Sequence, residues 1–242
     1  MRLRELFESA DKHVTFCFGR MNPPTIGHAR VFETMAGVGG DYKIFVSQTQ
    51  DKKENPLDYK TKIKFIKDIH PEHADNVVED ASLNTILKVA VSLYNHGYTS
   101  ASVVAGSDRL ETFKKLLADY NGVEGKAHGY YKFEPLEFVS SGARDPDSPG
   151  VEGASASKAR DLAKEGDLEG FAAATGAGDI SEELYNAVRA GLGINSVKEH
   201  IVKVKGGYEL KSKHGNKNLG KYPTRAGAEK RERQVQYFKH KG

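Results

Sequence analysis

Residues 14–32, VTFCFGRMNPPTIGHARVF, constrain the chain more than any other stretch. The uncharged run Val14 to Phe18 predicts a strand, and Gly19 with the Pro23-Pro24 pair predicts a turn. A helix is expected to begin close to Thr25-Ile26-Gly27-His28. A strand, a rigid loop and a helix start in succession bring backbone N–H groups and the positive end of a helix together, which suits a phosphate-bearing ligand. Arg20 and His28 are cationic or cation-capable, and Gly27 leaves the loop without bulk.

The pattern downstream extends this unit into an α/β fold. His28 to Met35 continues as a helix with Ala29, Phe32 and Met35 on one face, Gly37, Gly39 and Gly40 end it, and Tyr42 to Val46 reads as a second strand. Strand, helix, strand in that order predicts a doubly wound parallel sheet covered on both faces. Tyr59 to Ile69 and Leu83 to Tyr94 read as amphipathic helices, the second with Asn84 and Thr85 as capping or surface residues at its start. Asn76 to Val78 is a brief strand in this reading, Ser102 to Ala105 a buried one, Leu110 to Tyr120 a helix, and Tyr131 to Val139 a last core strand interrupted at Pro135. Leu3 to Ala10 is read as a short amphipathic helix over one sheet edge.

Polar segments lie where such a sheet binds ligands, at the carboxyl ends of its strands. Residues 47–62, with the basic pair Lys52-Lys53, are an ordinary solvated loop or a ligand-facing one. Gly106 and Asp108 follow the strand at Ser102 to Ala105 as a plain turn or as ligand contacts, while Arg109 meets a phosphate or pairs with Glu111. Ser140 to Gly153, with Arg144, Asp145, Asp147 and Ser148, is long enough to be an active-site element or a mobile loop. After it, Ser155, Ser157, Lys158 and Arg160 open a helix running to about Ala163, where hydroxyls cap backbone donors or bind phosphate oxygens and Arg160 offers a fork of donors. Further helices are expected over Leu162 to Ala174 and Glu182 to Ala190.

Charge divides the chain where its whole-chain balance of +3 does not. From Lys198 to Gly242 there are 13 Lys or Arg against 4 Asp or Glu, which leaves 23 basic and 29 acidic residues in the first 197. The basic pI therefore belongs to the tail and does not assign nucleic acid to the larger unit. Two domains follow, residues 1–196 and a basic β-β-α module at 197–242 with a hairpin around Gly206-Gly207, a short strand within Asn216 to Tyr222 and a helix over Ala226 to His240. Cys17 alone excludes an intrachain disulfide and reads as a small buried side chain. No apolar run approaches the roughly 20 residues of a membrane helix and Met1 to Lys12 lacks the apolar core of a secretory signal, so a cytoplasmic protein is expected.

The segment Gly19 to His28 resembles the first signature of the nucleotidylyltransferase superfamily, (His or Thr)-x-Gly-His, and looks most like the nicotinamide mononucleotide adenylyltransferase branch. Thr25 stands at the first motif position, as in pantetheine-phosphate adenylyltransferases. Residues 155–160 resemble the second signature, Ser-(Gly or Ser)-Thr-x-x-Arg, with Ser155, Ser157 and Arg160 at its first, third and last positions and Ala156 and Ser157 departing from it. Gly106-Ser107-Asp108 is similar to the family's Gly-x-Asp segment near the nucleotide, and the resemblance makes Lys53 and Lys62 candidates for phosphate contacts. The likeness covers roughly residues 14–172 and implies a Rossmann-like nucleotidylyltransferase fold.

What the resemblance implies is attack by a phosphorylated acceptor on the α-phosphorus of ATP, with nicotinamide mononucleotide giving NAD and pyrophosphate. His28, Thr25, Arg20 and Arg160 are then the catalytic set, and Gly19, Met21, Gly27, Lys53, Gly106, Asp108, Ser155, Ser157 and Lys158 the nucleotide contacts. Mg2+ is expected to arrive mainly on the ATP phosphates, because the sequence holds no compact carboxylate cluster. A cytidylyl- or adenylyltransferase with another acceptor, and a non-enzymatic nucleic-acid- or virion-associated protein, are the other readings. The tail, through Asn218-Leu219-Gly220 and Gln234 to His240, resembles modules appended to bacteriophage proteins, which implies a phage-encoded chain working in host cytoplasm. Its basic residues suit nucleic acid, an acidic protein or plain solvation.

Overall fold

The computed structural model describes residues 12–142, 155–194, 200–211 and 218–240. The helix expected over Leu3 to Ala10 and the loop residues Arg144, Asp145, Asp147 and Ser148 lie outside these. The larger unit is built on four parallel strands, β1 (His13–Gly19), β2 (Asp41–Val46), β3 (Ser100–Ala105) and β4 (Leu136–Ser140), in the order β2-β1-β3-β4. Every residue of β3 is buried, as a strand covered on both faces requires.

Alternation along the strands sends side chains into two cores. Val14, Phe16, Val103 and Ala105 join Ile86, Val89 and Leu93 of α3 (Ile86–Asn95) and Phe113 and Leu117 of α4 (Ser107–Tyr120). Cys17, Ile44, Val46 and Val104 join Phe32 and Met35 of α1 (Ile26–Val38) and Ile63 and Ile66 of α2 (Tyr59–Ile69). Helices on both faces confirm the doubly wound, Rossmann-like arrangement. The chain runs from β1 to β2 on one side and returns to β3 on the other, so the switch in strand order falls between β1 and β3.

Three further helices, α5 (Ala156–Glu165), α6 (Leu168–Thr175) and α7 (Ser181–Gly191), form a third core with Leu57 and Phe65, closed by Phe171, Leu184 and Val188. The helix expected to run unbroken from Leu162 to Ala174 is divided at Gly166, which takes a left-handed φ of 86°. Asp167 then accepts the Gly170 N–H at 2.9 Å and caps α6. α7 meets the β2 side of the molecule at Gly191, where a Cβ would lie 2.1 Å from the Pro56 carbonyl oxygen.

Three other expectations change in detail. α3 starts at Ile86, because Thr85 caps it by accepting the Lys88 N–H at 3.3 Å. The strand read at Asn76 to Val78 is a single parallel bridge from Val77 to Ile44. Tyr131 and Phe133 are buried as expected, yet only Leu136–Ser140 pairs as strand. Asn121 takes the place of a strand neighbour there, donating to the Phe133 carbonyl at 3.0 Å and accepting its N–H at 2.8 Å.

The carboxyl-terminal module carries one strand more than a hairpin. β5 (His200–Val204), β6 (Gly207–Lys211) and β7 (Asn218–Tyr222) pair antiparallel in that order, and α8 (Arg225–His240) packs on the sheet with Leu210 and Ala228 fully buried. Lys203, Lys205, Lys230, Arg231 and Arg233 are exposed. Among the described residues no helix is long and apolar enough to cross a membrane.

Candidate active site

The carboxyl ends of β1 and β3 open into a cavity of about 270 Å³, where the switch in strand order places a crevice. Its walls come from the loop after β1, the start of α1, the turn after β3, the residues after β4 and the start of α5.

The loop after β1 is tightly specified. A Cβ on Gly19 would lie 3.0 Å from the Met21 methyl, and Met21, itself buried, holds a φ of 47° that side-chain-bearing residues seldom adopt. Asn22, also buried, donates to the Leu57 carbonyl at 2.9 Å and accepts the Leu57 N–H at 2.9 Å. This clasp ties the first loop to the segment after β2. Thr25 then caps α1, with His28 at the third helical position.

Thr25 donates its backbone N–H to His28 Nδ1 at 3.1 Å, and its hydroxyl lies 2.9 Å from the same atom. Since Nδ1 accepts, the proton of the neutral ring sits on Nε2. Thr25 and His28 are thus a reciprocal cap and a pair of cavity residues at once. Gly27 lines the same wall.

Arg160 comes from α5 and is only 9% exposed. Its Nη1 donates to the Asn22 carbonyl at 2.9 Å and its Nη2 to the Ser157 hydroxyl at 3.0 Å. Burial draws its pKa down from the usual guanidinium value, with Glu54 and Asp161 opposing the change. The two segments singled out in the sequence therefore meet through Asn22, and both face one cavity.

Other residues named from sequence are placed as follows. Arg20 lines the cavity and lies 3.7 Å from Glu54 Oε2. Gly106 caps α4, and Asp108 and Arg109 of its first turn line the cavity. Lys53, Ser155 and Lys158 lie off the cavity wall. Ser155 spends its hydroxyl on capping, accepting the Lys158 N–H at 2.9 Å, and the Lys158 side chain is exposed on the helix surface. Lys53 sits in a turn built by Asp51, whose Oδ1 accepts the Lys53 and Glu54 N–H groups at 2.8 and 2.7 Å. That turn presents Asn55, not Lys53, to the cavity.

Lys62 is fully buried, and its ammonium donates to the carbonyls of Ser47 and Thr49. It pins the chain leaving β2 and does not line the cavity. Burial pulls it down from 10.5 to about 8. Between these pH values the unfolded chain holds a proton that the folded chain has released, so stability from this group climbs with pH. The wild type is expected to gain on the order of 1–3 kcal/mol relative to Lys62→Met as pH rises from about 8 to 10.5. Urea midpoints of both proteins across that range check it.

Several cavity residues have no counterpart in the motifs. Arg30 and Val31 lie three and four residues beyond Gly27, on the helix face that Gly27 opens to the cavity. Asn55, Phe113, Ser141 and Gly142 line it from outside the two motifs, and Asn22 from within the first. Cys17 also touches the cavity, but burial pushes its thiol up to about 12 and leaves it protonated. Among the described residues no three His, Cys, Asp or Glu side chains are grouped to hold a metal ion. The described wall carries one carboxylate, Asp108, against four arginines.

The cytidylyltransferase-like family model matches residues 16–143, more than half of the 242-residue chain. The chain belongs to the cytidylyltransferase-like family. The matched span takes in Gly19 to His28 and Gly106 to Arg109 and ends before Ser155 to Arg160. Nucleotidylyl transfer is the chemistry of this superfamily, and the cytidylyltransferase-like chain is an enzyme of that class. No curated protein matches it. Among solved structures it is similar to a bifunctional NMN adenylyltransferase/ADP ribose pyrophosphatase from Francisella tularensis, at 12% identity and a TM-score of 0.42 over 62% of this chain and 42% of that one. It is also similar to a Plasmodium falciparum nicotinic acid mononucleotide adenylyltransferase complexed with NaAD, at 14% identity and a TM-score of 0.48 over 72% of this chain and 97% of that one.

Proposed function

We propose that the enzyme transfers the adenylyl group of ATP to the phosphate of nicotinamide mononucleotide, releasing pyrophosphate and forming NAD. The observation that carries the reading is the single cavity shared by His28, at the start of α1, and by Ser157 and Arg160, at the start of α5. An oxygen of the acceptor phosphate attacks the α-phosphorus, the bond from that phosphorus to the bridging β-phosphate oxygen breaks, and pyrophosphate leaves. Such a reaction rests on alignment and on donors placed where charge develops. His28, held through Nδ1 by Thr25, turns its Nε2 proton to the α-phosphoryl oxygens. Arg160 and Ser157 hold the β- and γ-phosphates, Arg20 leaves Glu54 for the triphosphate, and Gly106 and Asp108 stand by the nucleoside. Gly19, Met21 and Gly27 shape the loop so that its backbone meets the phosphates. Among the described residues the wall's four arginines and one carboxylate suit phosphate oxygens better than a bare divalent ion, so Mg2+ would be held mainly by the ATP phosphates and would neutralise their charge.

The acceptor rests on the likeness of Gly19 to His28 to the nicotinamide mononucleotide branch. The matched family's cytidylyltransferase-like character favours one second reading, transfer from CTP or to another phosphorylated acceptor. A panel of the four nucleoside triphosphates against phosphorylated acceptors, with mass detection of the condensed product, separates them. The mass of NAD from ATP and nicotinamide mononucleotide is expected; a condensed product only with CTP, or only with a different acceptor, replaces the first reading with the second.

A further inference from the structure

The cavity's four arginines are not alike. Arg20 is beside Glu54, and Arg160 is held by the Asn22 carbonyl and the Ser157 hydroxyl. Arg30 and Arg109 are paired with no carboxylate among the described residues. Arg109 is exposed, where water satisfies a guanidinium, but Arg30 is half-buried in the wall. A partly desolvated cation without a counter-ion is costly unless an anion completes it.

The seat of Arg30 is itself built. Gly142, the second residue beyond β4, has a φ of 111°, open to glycine and not to other residues. A Cβ there would fall 2.4 Å from Arg30 Nη2 and 2.6 Å from its Cζ, so the guanidinium lies against bare backbone. Gly142 is fixed by hydrogen bonds on both sides: its N–H donates to the Ser140 hydroxyl at 3.2 Å and its carbonyl accepts the Ser107 N–H at 3.4 Å. Arg160 is anchored to the loop after β1 and through Asn22 to Leu57 on the β2 side, whereas Arg30 is seated on the β4 side. His28, on the first turn of α1, lines the same cavity as both arginines.

We propose that Arg30, seated on Gly142, forms a second anion subsite that binds a substrate phosphate separately from Arg160. The proposal rests on reading the cavity as a nucleotidylyl-transfer site, in which two phosphate-bearing substrates must be held at once. A planar fork in a fixed seat suits a phosphate oxygen pair, and a lysine there supplies charge without the fork.

Equilibrium binding to the full chain tests it, with wild type, Arg30→Gln and Arg30→Lys, and with three probes: ATP, nicotinamide mononucleotide and the dephosphorylated riboside. Loss of a charge-assisted contact is expected to weaken one phosphate-bearing probe about 10- to 100-fold in Arg30→Gln, with partial recovery in Arg30→Lys and the riboside unchanged. Loss confined to the mononucleotide assigns the subsite to the acceptor, and loss confined to ATP assigns it to the triphosphate. Unchanged affinity for both, an equal loss that includes the riboside, or a wild type that binds neither phosphate-bearing probe overturns the proposal. Binding requires no turnover, so a wild type that binds both substrates in this pattern and condenses neither would refute the assigned reaction and leave the subsite standing.

Discussion

Replacing His28 with alanine is expected to lower kcat by about 10²- to 10³-fold, the effect of deleting one preorganised donor at a developing oxyanion. The side chain has two duties that a single substitution confounds. It accepts the Thr25 N–H at 3.1 Å as the far half of a helix cap, and it lines the cavity from the same position. Loss of the cap alone costs about 1 kcal/mol of stability and leaves the fold intact. His28→Gln separates the two, because glutamine at the third helical position reaches back to the cap N–H in ordinary capping boxes. It is expected to restore the melting temperature lost in His28→Ala while turnover stays low, since its amide does not place a donor where Nε2 stands. Pyrophosphate release and thermal melts on the two variants check this. Near-normal turnover in either would reduce His28 to a cap.

Arg160→Ala is expected to damage both stability and catalysis. Asn22 is buried, and its carbonyl accepts from Arg160 Nη1 at 2.9 Å, so truncation removes that donor from a buried acceptor. The cost is about 2–3 kcal/mol. The same guanidinium fixes Ser157 and joins α5 to the loop after β1, so the triphosphate would lose its grip and the loop its register. A rise in KM for the triphosphate of about tenfold or more is expected together with the fall in urea midpoint. Arg160→Lys should recover part of the stability and little of the affinity, because a point charge does not span Asn22 and Ser157 together. If Arg160→Ala changed the midpoint alone, the residue would be a strut of the fold with no ligand.

The parallel sheet was legible because strands buried on both faces are written as apolar runs that end in small and polar residues, as Ser102 to Ala105 does before Gly106. The lining of the candidate cavity was legible where polar side chains and a helix start coincide, at Thr25 to His28 and at Ser157 and Arg160. Within the second segment the sequence did not divide the labour: Ser155 caps, Ser157 supports Arg160, and Lys158 is exposed off the cavity. Lys53 and Asn55 are neighbours in a polar loop, and only the hydrogen bonds of Asp51 determine that Asn55 turns inward. Tyr131 and Phe133 carry the alternation of a strand, yet Asn121 satisfies the Phe133 backbone and the Gly122 N–H donates to the Tyr131 carbonyl. Arg30 was silent because its significance lies in Gly142, far along the chain, and local periodicity carries no record of such a contact.

The central claim is that one cavity directs an acceptor phosphate to the α-phosphorus of a triphosphate. Its most direct test uses nicotinamide mononucleotide with all terminal phosphate oxygens labelled as 18O, incubated with ATP and the full-length wild type. Every label is expected in the dinucleotide, with unlabelled pyrophosphate as the co-product. Formation of ADP, label in the pyrophosphate, or no condensation with this or any other pair of triphosphate and phosphorylated acceptor would contradict the account.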